Sequence, residues 1–179
     1  MKEKLMILGT VAAVILLLVL VLPQHTRNKA IALEETVETA KSDIKVQEKR
    51  RVDLIFNLAD CVKQYDKHEA ETLAEMANSM NPGSDAGDVI ASLKAVSYSY
   101  PELQSQQNYQ NLMTELALTE NMISQSRKNY NLAVNHYKQY VRKFPHSTFI
   151  SMTGYEVQDY ERLDYKAPED APKNIFGNG

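Results

Sequence analysis

The chain holds a single cysteine, Cys61, and no tryptophan in its 179 residues. One thiol excludes an internal disulfide and a multi-cysteine metal site, and it leaves the redox compartment open. Glycine and proline are also scarce, at six each. With so few breakers, long helices are favoured over a many-stranded β fold. A strong excess of one charge is missing too. The net charge is −3, so no broad field gathers nucleic acid, and no nucleic-acid partner is expected. The length suits one domain with a real core, joined to a membrane anchor.

What the chain does have is a long apolar run at its start, "KEKLMILGTVAAVILLLVLVLPQHTRNK". Leu5 to Leu22 would extend roughly 27 Å as a helix, close to the thickness of a bilayer's hydrocarbon core. Pro23, Gln24, His25, Thr26 and Arg27 follow it without the small-residue pair of a signal-peptidase site. No cysteine follows for lipid attachment. The pattern predicts an uncleaved single-pass anchor over residues 1–27, held in the cell (inner) membrane, with the lipid bilayer as partner of residues 5–22. Lys2 and Lys4 on one side nearly balance Arg27 and Lys29 on the other, so charge alone does not orient it.

Two heptad stripes follow. The first steps by four and three through Leu33, Val37, Ala40, Ile44, Gln47, Arg51, Leu54, Leu58, Cys61, Tyr65, His68 and Thr72. It predicts one helix from about Asn28 to Asn78 with a partner along its seam. The second runs through Tyr109, Leu112, Leu116, Thr119, Ile123, Ser126, Tyr130, Ala133, Tyr137, Tyr140 and Phe144. It predicts a helix from about Glu102 to Phe144, stopped by Pro145. Between them, "NPGSDAGD" (Asn81 to Asp88) is the strongest break, expected to be exposed and tolerant of insertion. A short helix with Asp88 as N-cap follows, stopped at Pro101. The fold class expected is all-α: an N-terminal transmembrane helix, then an antiparallel bundle of two long helices with at least one short helix, spanning residues 28–145. Residues 146–179 form an acidic tail, anchored mainly by Phe149, Ile150, Tyr155, Tyr160, Leu163, Tyr165 and Phe176. It is expected to be loosely ordered with one short docked segment.

Two segments resemble a known family. "RRVDLIFNLADCVKQYDKHEAETL" resembles the RR-x-DLIPNL-x-x-x-VK-x-Y-x-x-HE-x-x-T signature of the LemA family. "YPELQSQQNYQNLMTELALTENMISQSRKNYNLAVNHYKQYVRKFP" resembles that family's second signature, YP-x-L followed by ELxxTENxI, ARxxYNxAVxxYN and a closing FP. The resemblance runs from about Arg27 to Pro145. Phe56 departs from it, standing where the family has proline, so a kink there is not carried over. The resemblance implies a bacterial, membrane-anchored helical protein whose molecular role is not defined. It implies a short N-terminus outside and the helical domain in the cytoplasm. It also implies an unidentified protein partner, with a membrane metalloprotease as one case, and a connection to membrane protein quality control or envelope stress. Self-association into a homo-oligomer stays open.

By motif, the positions of interest are Arg50, Arg51, Asp53 and Asn57 on the first helix, with Glu120, Asn121, Arg127, Tyr130 and Asn131 on the second. An antiparallel hairpin centred on Asn81 to Asp88 sets Arg51 at the level of Glu120. Arg51 sits on the seam, where a charge must be paired. The set lacks a hydroxyl nucleophile beside a base and a phosphate-cradling loop. His68 and Glu69 are adjacent and no second histidine sits at i+4, so the zinc-protease helix pattern fails. Cys61 reads as core filler and the seam tyrosines as core with polar tips. No enzyme activity, cofactor or metal is therefore expected. Two function classes remain: a membrane-anchored scaffold or adaptor whose polar network fixes helix register, and a small-molecule binder or enzyme built around that network. Closed, paired arginines favour the first; an open pocket with unpaired carboxylates favours the second.

Overall fold

The structure is a computed structural model that describes residues 2–163. Six helices and no strand occur among the described residues: α1 (Lys2–Val62), α2 (Lys67–Asn78), α3 (Gly87–Ser99), α4 (Pro101–Ser105), α5 (Gln107–Arg142) and α6 (His146–Met152). The apolar run is the first part of α1, which continues through Pro23 into the bundle. This is the one described helix long and apolar enough to cross a membrane, and no other described part of the chain covers that window.

The first long helix ends at Val62, well short of the Asn78 expected from the heptad pattern. The stripe beyond Cys61 is therefore not a seam: Tyr65 lies in a turn and His68 faces solvent on α2. Asp66 explains the break. Its carboxylate accepts from the Glu69 amide at 3.0 Å and caps α2. The Tyr100 hydroxyl donates to its other oxygen at 3.0 Å. The cap bond, then the tyrosine, hold the Asp66 carboxyl below the usual carboxylate range. An aspartate three residues before a glutamate is a helix-start signal, and here it outweighs the heptad pattern.

The second long helix is likewise shorter than expected. α4 stops at Ser105, and Gln106 takes an extended conformation before α5 begins. The Gln106 side-chain amide donates to the Tyr65 hydroxyl at 2.7 Å, so the two breaks meet at one end of the bundle. α5 ends at Arg142, and Phe144, expected on the stripe, is 84% exposed. Asp88 is not the cap of α3; Ala86 holds that position and Asp88 lies in the first turn.

α2 folds back along α1, the 79–86 loop returns to the level of Glu48 and Arg51 on α1, and α3 runs outward again to the breaks. α5 then descends beside α1. Two cores result. The outer one joins Leu54, Ile55, Leu58 and Val62 of α1 with Leu73, Leu93, Leu103 and Leu116. The inner one joins Ala30, Val37 and Ile44 with Tyr130, Val134, Tyr137, Val141 and Ile150. Burying each large aliphatic side chain contributes about 1.5–3 kcal/mol, so both cores stabilise the bundle.

Residues 155–163 have no regular structure, yet they are held as a strap. The Gln158 amide donates to the Tyr137 hydroxyl at 2.9 Å. Tyr160 packs edge-on against Tyr137. Lys138 pairs with Asp159 at 2.9 Å. The expected docked segment thus comprises α6 and this strap. Tyr165 and Phe176 lie outside the described residues.

Candidate functional site

The two cores are separated by a layer of charge. Arg51 projects from the α1 seam and is 1% exposed. Its Nη1 donates to the Ser84 carbonyl at 3.0 Å and stands 3.5 Å from Glu120 Oε1. One helical turn toward the inner core, Glu48 Oε1 accepts from Arg127 Nη2 at 3.0 Å and from the Gly83 amide at 2.9 Å. Two acid–arginine pairs in opposite senses therefore bridge α1 and α5, and each also grips the 79–86 loop. Gly83 meets this demand with φ +88, a conformation that costs other residues roughly 1–2 kcal/mol.

The 81–88 segment is exposed at most of its positions, as expected, but it is tied down rather than independent. Ala86 is buried, and Gly83 and Ser84 commit backbone groups to the charged layer. The loop is not the tip of a simple hairpin; the tip lies at residues 63–66 and 100–106, and the loop is tucked halfway down.

Among the residues singled out by motif, the structure joins Arg51, Glu120 and Arg127 in this layer. Arg50 points outward and lies 3.8 Å from Glu115, with both half exposed. Asp53, Asn57 and Asn121 face solvent away from the pairs. Tyr130 and Asn131 instead hold the strap. The Tyr130 hydroxyl donates to the Glu161 carbonyl at 3.1 Å. Asn131 accepts from the Leu163 amide at 2.8 Å and donates to the Leu163 carbonyl at 2.9 Å, pairing like a strand edge. Glu48 is not among the motif residues. Its signal lies in Ile44, Glu48, Arg51 and Ile55, which step by four, three and four along one buried face.

Burial dominates the electrostatics of Glu120 and raises its pKa above the usual glutamate value, against the opposing pull of Arg51. The 3.5 Å separation is an ion pair at loose range, beyond a good hydrogen bond. Arg51 Nε and Gln47 Oε1 are buried without partners among the described residues. Cys61 lies in the outer core, with its thiol pushed up mainly by burial, which makes a thiolate nucleophile unfavourable there.

A cleft of about 250 Å3 opens beside the layer. Its walls include Lys41, Ile44 and Lys45 of α1, Gly83 of the loop, and Arg127 and Tyr130 of α5. Its chemistry is apolar with a cationic rim, since Glu48 is already engaged by Arg127 and Gly83.

Comparison with known proteins agrees with the two sequence signatures. Residues 40–176 match the LemA family, from the inner core of α1 through the strap. Two proteins of Paramagnetospirillum magneticum, Magnetosome protein MamQ 1 and Magnetosome protein MamQ 2, are each 32% identical over 80 residues. The match covers 44% of this chain and 29% of each relative's length. With a family match over most of its length, the chain belongs to the LemA family.

Proposed function

We propose that the chain is a single-pass membrane-anchored helical scaffold, in which the charged layer fixes helix register and the rod presents a surface to a protein partner. The observation that carries this reading is Arg51, 1% exposed and engaged by Ser84 and Glu120. A charge closed off from solvent in this way presents no accessible donor to a substrate. The polar layer therefore acts on structure, as a buried polar residue does when it selects one register in a coiled coil. On this reading the chain is not an enzyme.

The anchor is residues 5–22. The chain is expected to remain full length and to fractionate with membranes. A mature N-terminus between residues 24 and 30 in mass spectrometry would remove the anchor. The helical domain is assigned to the cytoplasmic side, on the family resemblance. Digestion of the 79–86 loop by protease added outside intact cells would reverse that assignment. The partner is assigned to the membrane protein class, a metalloprotease among them. The test is photo-crosslinking in native membranes from Leu118 and Met122, which lie exposed one turn apart on α5. A discrete protein adduct is expected, and it should vanish when Leu118 and Met122 are replaced by Asp.

A second reading is favoured by one observation, the cleft beside Arg127. Its size and its Lys41, Lys45 and Arg127 rim suit a small anionic amphiphile. If Lys45→Ala and Arg127→Ala abolish cellular activity while the crosslinked adduct persists, the binder reading replaces the scaffold.

A further inference from the structure

The fold gathers basic residues at one end of a chain that is acidic overall. No Asp or Glu occurs between Lys4 and Leu33, and none between Asn121 and Tyr155. Those two stretches carry Arg27 and Lys29 just after the apolar run, and Arg142 and Lys143 at the end of α5. Antiparallel packing brings them together: Lys29 and Lys143 line one shared hollow with Tyr140 and His146. Lys138, one turn back along α5, is instead neutralised by Asp159.

The end of the apolar run lies at the same level. Leu22, its last residue, lines a cavity of about 630 Å3 with His25, Lys29, Pro145, His146 and Phe149. The α5–α6 corner therefore stands beside the point where α1 leaves its apolar stretch. At that corner Phe144 is 84% exposed, more than the large aliphatic side chains of the apolar run. Met152, at the end of α6, is also exposed. An exposed aromatic ring flanked by Arg142 and Lys143 suits a bilayer surface, where apolar groups enter and cations meet phosphate. The buried Nδ1 of His146 has no partner among the described residues and belongs to this same hollow.

We infer that this end of the bundle is a second membrane contact: Phe144 enters the headgroup region, and Arg27, Lys29, Arg142 and Lys143 hold anionic phospholipid headgroups of the bilayer that residues 5–22 span. The inference rests on the anchor reading. It fixes the rod's orientation, because contact through both α1 and the α5–α6 corner leaves no free swivel at Pro23. The ligand is an anionic phospholipid, recognised by its phosphate charge beside an apolar surface.

The absence of tryptophan makes the test clean, since one substitution creates the only tryptophan emitter. The full chain is reconstituted in phosphatidylcholine vesicles with and without phosphatidylglycerol, with brominated acyl chains as quencher. Three single variants are compared: Leu17→Trp within the run, Phe144→Trp at the corner, and Tyr98→Trp on α3 in the distal half. Leu17→Trp and Phe144→Trp are expected to be quenched, the latter more when phosphatidylglycerol is present, and Tyr98→Trp is not. Each cation replaced by Gln should weaken the anionic-lipid preference about fivefold, equivalent to about 1 kcal/mol. If Leu17→Trp is quenched and Phe144→Trp is not, the anchor stands and the second contact is overturned. A blue-shifted but unquenched Phe144→Trp signal assigns the corner to a protein interface and overturns it equally. If Leu17→Trp is also unquenched, the anchor reading falls first.

Discussion

Arg51 and Glu120 face each other at 3.5 Å across the α1–α5 seam, but they are not equally buried. Arg51 is closed off, whereas the Glu120 side chain keeps 26% of its exposure. The partners therefore differ in what they leave behind. Glu120→Leu strands a guanidinium that cannot lose its proton, with only the Ser84 carbonyl for company. That should cost about 3 kcal/mol. Arg51→Leu leaves a carboxylate that can take a proton or water, and loses one hydrogen bond to the loop, about 1–2 kcal/mol. The double variant should recover part of the larger loss. Thermal melts of all three decide this. Equal losses for the two single variants would mean that the asymmetry of burial carries no energetic weight.

Protonation gives an independent check on the same pair. Burial raises the Glu120 pKa, so the folded state holds its proton where an unfolded glutamate has lost it. The linked stability is full below the ordinary glutamate value and is lost as pH rises through the higher folded value. Glutamine imitates the protonated acid and keeps an oxygen for Arg51. Glu120→Gln should therefore gain on the wild type as pH rises from acid toward neutral, while Glu120→Leu stays below both. A Gln variant that loses ground with rising pH would show that Glu120 works as a counter-charge rather than as a polar acceptor.

The register of α1 against α5 is legible in the amino-acid sequence, although the turn that sets it is not. Facing pairs such as Cys61 with Asn108, and Arg51 with Glu120, are symmetric about the 81–88 segment. The intervening chain is itself folded in two, so its midpoint stays the centre of symmetry even though it lies halfway down the bundle. Heptad spacing reports which face is buried, and the α5 seam is indeed buried at Tyr109, Leu116, Ile123, Tyr130 and Tyr137. Such spacing is blind to a helix that ends at Val62 and restarts at Lys67 with a different face buried, because the four-three steps run on through the break in the sequence, which is how the Asp66 cap hides within it. Glu48 is hidden for a related reason. A buried acid looks like a solvent-side residue until its partners, Arg127 and Gly83, are brought from distant parts of the chain.

The loop makes the next prediction. Gly83 adopts φ +88 and its amide serves Glu48, but a Cβ there would meet open space. Gly83→Ala should thus cost about 1–2 kcal/mol from backbone strain alone. A Gly/Ser insertion between Pro82 and Gly83 should cost more than loop entropy requires, because it displaces the groups bonded to Glu48 and Arg51. Denaturant melts compare it with the same insertion at Lys63–Gln64, in the exposed turn after α1. Equal tolerance at both sites would return the loop to an independent, solvent-side element.

The strap supplies the last prediction, through its tyrosines. The Tyr155 hydroxyl donates to Glu34 and stands 3.1 Å from the Tyr137 hydroxyl. Tyr160 packs edge-on against Tyr137, with the Glu38 carboxylate acting on its phenol. Burial, then these carboxylates, raise the pKa of both phenols far above the ordinary tyrosine value. The folded strap keeps two protons that the released strap gives up near pH ~10. Its attachment is therefore complete below that value and is lost as pH climbs beyond it. Phenolate absorbance in an alkaline titration should show a late phase from Tyr155 and Tyr160, the two with the largest upward shifts. Protease sensitivity within residues 155–163 should appear with the late phase. Tyr155→Phe removes part of that phase and the hydroxyl bridging Glu34 to Tyr137, which should loosen the strap at neutral pH as well. If cleavage stays slow after every tyrosine has ionised, the hydroxyl bonds do not hold the strap, and Asn131 with Leu163 and Lys138 with Asp159 must suffice.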